Sequence, residues 1–225
     1  MTKTIGILGG IGPESSAVFY KQLIDEFKNR FHPIKNTEFP RIIINSIPAP
    51  ELTSGDNSNK LQAYIEGLKF IEKESDFIVI ICNTAYLYLE TFREVINKPI
   101  IDINNLINQK LHNLSTKKTL LLASPNSIDL NLFKFKGIDN TELDIQEKKQ
   151  LGEIINKYNS NEISKKESEW LFSLINKYYK NCDYVLIGCT ELSLLLKEWK
   201  DIKKIDTFNL FIEETLNKYV SISKN

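Results

Sequence analysis

Two stretches of the chain, DFIVIICNT (residues 76–84) and DYVLIGCTE (residues 183–191), are built on one template. Each opens with an aspartate, runs through an apolar strand and reaches a cysteine six residues on, with small polar residues after it. Cys82 and Cys189 are thus paired by context, 107 positions apart. A single cysteine at a strand end is most simply a small buried hydrophobe. Two at matching strand ends point to chemistry. A thiol has an unperturbed pKa of about 8.5, so local tuning can leave one as thiolate and its partner as thiol. One then serves as general base and the other as general acid, with roles exchanged in the reverse reaction. Inverting a stereocentre next to a carboxylate needs that arrangement, because the proton leaves one face and returns on the other.

The other reactive side chains do not compete. His32 and His112 fall at helix ends or in loops and read as solvated surface residues, so a Cys–His nucleophile has no support. Cys182 precedes its strand, outside the template, and reads as structural. There is no C-x-x-C, no paired His spacing and no carboxylate cluster at ligand spacing, so no metal site is expected.

The elements that must hold the two thiols follow from patterning. Short apolar runs alternate with helix-period stretches, the mark of an α/β chain. Strands are expected at Lys3–Gly9, Arg41–Ser46, Phe77–Cys82, Pro99–Asp102, Thr119–Ser124, Tyr184–Cys189 and Lys204–Asp206. Helices are expected from about Pro13 to Arg30, over Lys60–Ser75, near Leu87–Asn97 and through most of residues 141–181. Beyond the template, Lys3-Thr4-Ile5 matches Lys118-Thr119-Leu120 in character and Ile101-Asp102 matches Ile205-Asp206. The chain therefore reads as two similar α/β halves of about four parallel strands each. In such sheets ligands collect beyond the carboxyl ends of the strands. Cys82 and Cys189 both fall there, and an approximate two-fold relating the halves would set them on opposite sides of one cleft. Asn83, Thr84 and Ala85, and Thr190 and Glu191, begin turns whose side chains can cap a helix or bond a carboxylate.

A glycine-rich turn, Gly9-Gly10-Ile11-Gly12-Pro13-Glu14-Ser15, follows the first strand. Its spacing is wrong for G-x-G-x-x-G, and Glu14 adds negative charge where a pyrophosphate would lie. Gly10 and its neighbours either let backbone amides approach a small carboxylate or simply make a tight turn.

Composition excludes other classes. The 225 residues carry 29 basic and 29 acidic side chains, so no basic excess marks a nucleic-acid partner. Hydrophobic residues are 42% and charged residues 26%, as in an average globular protein. No apolar run approaches the roughly 20 residues that span a bilayer. Residues 1–10 read as a buried strand rather than a signal peptide. Three scattered cysteines are too few for a disulfide scaffold, which points to the reducing cytoplasm.

Together these residues resemble the aspartate/glutamate racemase family. Gly9–Ser15 looks like its opening G-G-M-G-P-E-A motif, Cys82-Asn83-Thr84-Ala85-Tyr86 like C-N-T-A-H, and Gly188-Cys189-Thr190-Glu191-Leu192 like G-C-T-E-L. The three motifs come in order across nearly the whole chain, and the aspartate racemase branch is the most similar. The resemblance implies a cofactor-independent, two-base racemase of aspartate or glutamate, usually a homodimer. It implies two pseudosymmetric α/β domains, residues 1–98 with 208–225 carrying Cys82, and residues 99–207 carrying Cys189, the C-terminal helix returning to the first. Cys82 and Cys189 match the catalytic pair, and Asn83, Thr84 and Thr190 match residues that hold the substrate carboxylate and the thiolate. Ser124 stands in a segment, Ala123–Ser127, similar to A-T-x-G-T, and Lys157 matches a substrate-binding lysine of the central helical segment.

The chain departs from the family pattern at three places. Tyr86 replaces a common His. The segment at Ala123–Ser127 loses its glycine. The loop Ala49-Pro50-Glu51-Leu52-Thr53 lacks the arginine that holds a side-chain carboxylate in aspartate racemases, and the chain's three arginines, Arg30, Arg41 and Arg93, lie elsewhere. Proton transfer is preserved, whereas recognition of a second carboxylate is in question. The alternatives are a sister enzyme, an isomerase or decarboxylase of a small diacid at the same cleft, and a catalytically silent carboxylate-binding protein.

Overall fold

A computed structural model describes residues 3–52 and 55–223. Thr53, in the loop that lacks the arginine, lies outside the described residues. The chain divides into two compact units, one taking in the chain up to Asp102 together with the segment from Phe208 onward, the other Ile103–Thr207.

In the first unit, β1 (Thr4–Gly9) is buried at all six positions and forms the centre of a parallel sheet. β2 (Arg41–Ser46) and β3 (Phe77–Ile80) flank it, giving the order β2-β1-β3. β3 is wholly buried, as continuous apolar runs in parallel sheets are. The strand expected at Pro99–Asp102 shrinks to one parallel bridge between Ile78 and Ile100. Pro99 has no N–H to add to a ladder, so only its carbonyl, accepting from Ile78, and the Ile101 N–H, donating to the Ile78 carbonyl, are used. α1 (Pro13–Phe31) and α2 (Ser58–Glu72) are followed by a 3-10 turn at Thr84–Tyr88, α3 (Leu89–Val95) and, from the far end of the chain, α9 (Thr207–Ser223). α9 meets this unit through aromatic pairs: Phe208 edge-on to Phe19 at 5.8 Å, Phe211 near Tyr86 at 5.7 Å, and Tyr219 edge-on to Phe27 at 5.9 Å.

In the second unit, β4 (Lys118–Leu122), β5 (Asp139–Asn140), β6 (Tyr184–Ile187) and β7 (Lys204–Asp206) form a parallel sheet of order β5-β4-β6-β7. It carries α4 (Ile103–Asn113), α5 (Pro125–Asp129), α6 (Ile145–Asn159), α7 (Lys165–Tyr179) and α8 (Thr190–Leu195). Its core gathers Leu120, Leu122, Leu151, Ile154, Leu171 and Ile175 around Val185 and Ile187. α6 and α7 each start with a capping box, Asp144 with Glu147 and Ser164 with Glu167.

The repeat read in the sequence is reproduced hydrogen bond for hydrogen bond. The Thr4 N–H donates to the Asp76 carboxylate at 2.7 Å, and the Asp76 N–H returns to the Thr4 carbonyl at 2.9 Å. In the second unit the Lys118 N–H donates to the Asp183 carboxylate at 3.0 Å, and the Asp183 N–H returns to the Lys118 carbonyl at 2.9 Å. At the opposite ends the Ile81 N–H donates to the Leu8 carbonyl and the Gly188 N–H to the Leu122 carbonyl. The template aspartates therefore lock the start of each central strand to its neighbour, and the cysteines follow one residue after the last of these bonds.

Candidate active site

Cys82 leaves the first sheet just beyond β3 and is half-buried. Asn83, buried at 3% exposure, has helical dihedrals and its carbonyl accepts from the Tyr86 N–H at 3.0 Å, which winds Thr84–Tyr88 into the 3-10 turn. Thr84 is thus held in the first turn after the thiol, and Ala85 is fully buried against the core. Tyr86 is buried, and its hydroxyl accepts from the Ile80 N–H at 3.3 Å. Burial pushes its phenol far above the usual tyrosine range, with Asp102 and Cys82 adding to the rise. The side chain that stands where the family has His is therefore a neutral phenol bonded to the main chain.

A second tyrosine, Tyr64 of α2, shares this neighbourhood. Burial raises its phenol strongly, and the charges of Cys82 and Glu51 raise it further. Its hydroxyl donates to the Pro50 carbonyl at 3.0 Å, which pins the loop after β2. Nothing but helical periodicity marks Tyr64 in the sequence, so sequence reasoning misses it.

The glycine-rich turn is tightly built at Gly10. Gly10 has φ 85°, and a Cβ there would lie 2.3 Å from the Ile47 carbonyl oxygen. Its N–H donates to Ser16 Oγ at 3.0 Å, and Ser16 Oγ donates in turn to the Gly12 carbonyl at 3.2 Å. The Gly10 amide is engaged inside the turn.

In the second unit Cys189 is extended, with φ −141° and ψ 131°, and occupies the position just ahead of α8. It is 6% exposed. Its thiol donates to Glu191 Oε2 at 3.0 Å, and the Thr190 hydroxyl donates to the same oxygen at 3.0 Å. Burial first, then the Glu191 charge and this hydrogen bond, hold the Cys189 thiol well above the ordinary range. At rest Cys189 is a protonated thiol with a buried carboxylate on its hydrogen. The Ser193 hydroxyl, one helical turn on, donates to Asp206 Oδ1 at 2.6 Å and ties α8 to the end of β7. Gly188 is required here, since a Cβ would stand 2.6 Å from the Phe133 ring.

Ser124 lies two residues beyond β4, as Cys189 lies two residues beyond β6, and Leu122 of β4 pairs with Ile187 of β6. Ser124 caps α5, accepting from the Ser127 N–H at 3.3 Å and donating to Ser127 Oγ at 2.9 Å. Lys157, in the last turn of α6, forms a 2.5 Å ion pair with Glu167, the capping-box carboxylate of α7. A substrate carboxylate would have to compete with Glu167 for it. The structure thus gathers Cys82, Asn83, Thr84 and Ala85 at one sheet's carboxyl end, and Ser124, Cys189, Thr190 and Glu191 at the other's. Lys157 is engaged in the α6–α7 connection and Gly10 within its turn. His32 and His112 are both exposed, and Cys182 Sγ lies 3.1 Å from Thr141 Oγ1. Among the described residues no group of three or more His, Cys, Asp or Glu could hold a metal ion, and no helix is long and apolar enough to cross a membrane.

Residues 8–214 match the model of the Asp/Glu/Hydantoin racemase family. The chain belongs to that family. A broad specificity amino-acid racemase of Bacillus subtilis (strain 168) is 24% identical over 96% of this chain and 98% of its own length. An aspartate racemase homologue from Pyrococcus horikoshii OT3 superposes with a TM-score of 0.78 at 25% identity, covering 98% of this chain and all of that one. The Picrophilus torridus aspartate racemase has the same fold, with a TM-score of 0.81 at 21% identity over 96% of this chain and 94% of its own. Two parallel sheets flanked by helices are this chain's architecture, shared with these solved structures, and two of the relatives named here are described as racemases.

Proposed function

We propose that this racemase-family enzyme inverts the α-carbon of a free amino acid by two-base chemistry, with Cys82 and Cys189 as the proton carriers and no cofactor. The observation that carries the reading is the repeated strand end: two thiols on one template, each one residue past equivalent ladder bonds. The scheme requires both thiols to reach one α-carbon from opposite faces. In the direction where Cys82 abstracts, its thiolate takes the α-proton while the Cys189 thiol, already protonated at rest, delivers one to the other face. The thiolate left on Cys189 sits against Glu191 and is poised to recover a proton. Asn83, Thr84 and Thr190 supply the hydrogen bonds that hold the substrate carboxylate and the thiolate, and the carbanion is stabilised by such donors in a desolvated site.

The family resemblance points to aspartate or glutamate as substrate and a homodimer, and the three scattered cysteines point to a reducing cytoplasm. The dimer is checked by light scattering. The activity is tested by following α-proton exchange of L- and D-amino acids in heavy water with the reduced protein. Exchange into both enantiomers is expected. No exchange with any amino acid overturns the reading, and so does full racemisation by either Cys82→Ser or Cys189→Ser.

A further inference from the structure

Cys189, Thr190 and Glu191 owe their places to α8, which is six residues long. Isolated helices shorter than about 12 residues do not hold their form in water, so α8 must be fixed by its surroundings. Leu192 and Leu196 bury one of its faces in the core, at 0% and 2% exposure. Apolar packing is non-directional and does not by itself set how far a short helix slides or turns. Directional bonds do that, and for α8 they come from one strand.

β7 grips α8 at both ends. At the first turn the Cys189 carbonyl accepts from the Ser193 N–H at 3.0 Å. The Ser193 hydroxyl lies 3.1 Å from the same carbonyl and 2.6 Å from Asp206 Oδ1. That hydroxyl has a single proton, and the shorter contact, to the acid, takes it. Ser193 and Asp206 are both buried, at 4% and 8% exposure, so water does not compete for the bond. At the last turn the Leu196 carbonyl accepts from Lys204 Nζ at 2.9 Å, beside the Trp199 N–H at 3.1 Å. It is one of the carbonyls that a helix end leaves without an intrahelical partner. Lys204 and Asp206 alternate with Ile205, so their side chains leave β7 on one face. The signs also suit a helix, an acid at the first turn and a cation at the last.

Resting on the racemase reading, we propose that β7 is a clamp on α8, with Ser193, Asp206 and Lys204 as positioning residues that aim the Cys189 thiol at the α-carbon. None of the three touches substrate in this scheme. Ser193 fixes the main chain of Cys189 from one turn on, Asp206 fixes Ser193, and Lys204 stops the far end from sliding. A reacting group displaced by about 1 Å loses rate steeply, on the order of a hundredfold. Cys82 belongs to the other unit, so releasing the clamp disables one proton carrier and spares its partner. The two enantiomers then behave differently. The one deprotonated by Cys82 still gives up its α-proton, the thiol so formed swaps its hydrogen with solvent, and that hydrogen returns to the same face. Exchange without inversion results. The enantiomer that needs the Cys189 thiolate neither exchanges nor inverts.

The test follows racemisation and α-proton exchange together in heavy water, with both enantiomers of the standard amino acids. The variants are Ser193→Ala, Lys204→Met, Lys204→Arg and the double variant Ser193→Ala/Lys204→Met, each checked for folding by urea titration. Ser193→Ala should slow racemisation about tenfold and the double variant about a hundredfold, with KM unchanged. Exchange of one enantiomer should fall by less than about threefold, so that exchange outruns inversion for that enantiomer alone. Lys204→Arg keeps a donor for the Leu196 carbonyl and should stay within about threefold of native. In a Cys82→Ser, Cys182→Ser background, alkylation of Cys189 should quicken in the double variant by at least about threefold, as the thiol leaves its buried seat. Exchange and racemisation falling in step for both enantiomers overturns the proposal, since general loss of folded enzyme gives that result. Native racemisation in the double variant overturns it too. Either outcome sinks this inference and leaves the racemase reading standing, whereas no exchange by the native chain with any amino acid sinks both.

Discussion

Replacing Glu191 by glutamine tests how the Cys189 proton is held. The thiol sulfur lies 3.0 Å from Glu191 Oε2, and both residues are buried, at 6% and 7% exposure. At that separation, with an effective dielectric of about 20, a thiolate and a carboxylate repel by about 5 kcal/mol. That figure is a ceiling, because the protein relaxes around the pair. Glutamine keeps an oxygen to accept from the thiol, adds an N–H that can donate to a thiolate, and removes the charge. Cys189 should then ionise at lower pH, by at least a tenfold change in its dissociation constant, or about 1.4 kcal/mol. Burial, the larger cause of its raised pKa, persists, so the thiol should stay above the ordinary range. The assay is the pH dependence of alkylation rate in a Cys82→Ser, Cys182→Ser background, where Cys189 is the sole thiol. In the otherwise native enzyme the alkaline limb of kcat/KM should move to lower pH in step. It should move equally for both enantiomers, because the equilibrium constant of a racemisation is unity. An alkylation midpoint unchanged or raised in Glu191→Gln would refute the reasoning, since the carboxylate would then not be what keeps the proton on sulfur.

Cys82→Ser and Cys189→Ser should each lower racemisation by about 10²-fold to 10⁴-fold, the usual share of general acid–base catalysis, read as loss of optical rotation. Gly188→Ala places a Cβ 2.6 Å from the Phe133 ring and should cost about 1–3 kcal/mol in urea unfolding, the scale of overpacking. Gly10→Ala meets the Ile47 carbonyl at 2.3 Å at a φ of 85°, and its unfolding midpoint should fall by a comparable amount. The Lys157 ion pair, with help from Ser164, holds the Glu167 carboxyl at about 2, below its ordinary 4.5. A folded value below the unfolded one gives stability that is present above pH 4.5 and is lost as the pH falls towards 2. Thermal midpoints of the native chain should therefore drop through that window, and those of Glu167→Gln should start lower and drop less.

The strands that frame the thiols were legible because parallel strands buried on both faces are unbroken apolar runs. Phe77–Ile80 and Tyr184–Ile187 fall within the stretches read from residue type alone. β5, two residues long, is too short to show any period, and Pro99 reduces an expected strand to a bridge. α4 repeats Ile103, Ile107 and Leu111 every four positions, a pattern easily lost beside the stronger strand signals. The two cysteines could be paired by template, but the work of the template aspartates could not be seen, since Asp76 acts on Thr4 across 72 positions. Glu191 could be named as a residue of the site, while its hold on the Cys189 proton depends on an extended cap followed by helix. Lys157 could be named by positional likeness, while its partner Glu167 lies on the next helix, beyond what a motif can register.

The aromatic seam of α9 bears on how the chain is made. Ile103–Thr207 is contiguous, so a nascent chain has that whole unit in hand before Phe208 emerges. The first unit begins at the ribosome first and closes last. Until α9 arrives, Phe19, Phe27 and Tyr86 lack the rings that cover them. During that interval the half bearing Cys82 exposes apolar surface to chaperones and to neighbouring nascent chains, while the half bearing Cys189 can already be packed.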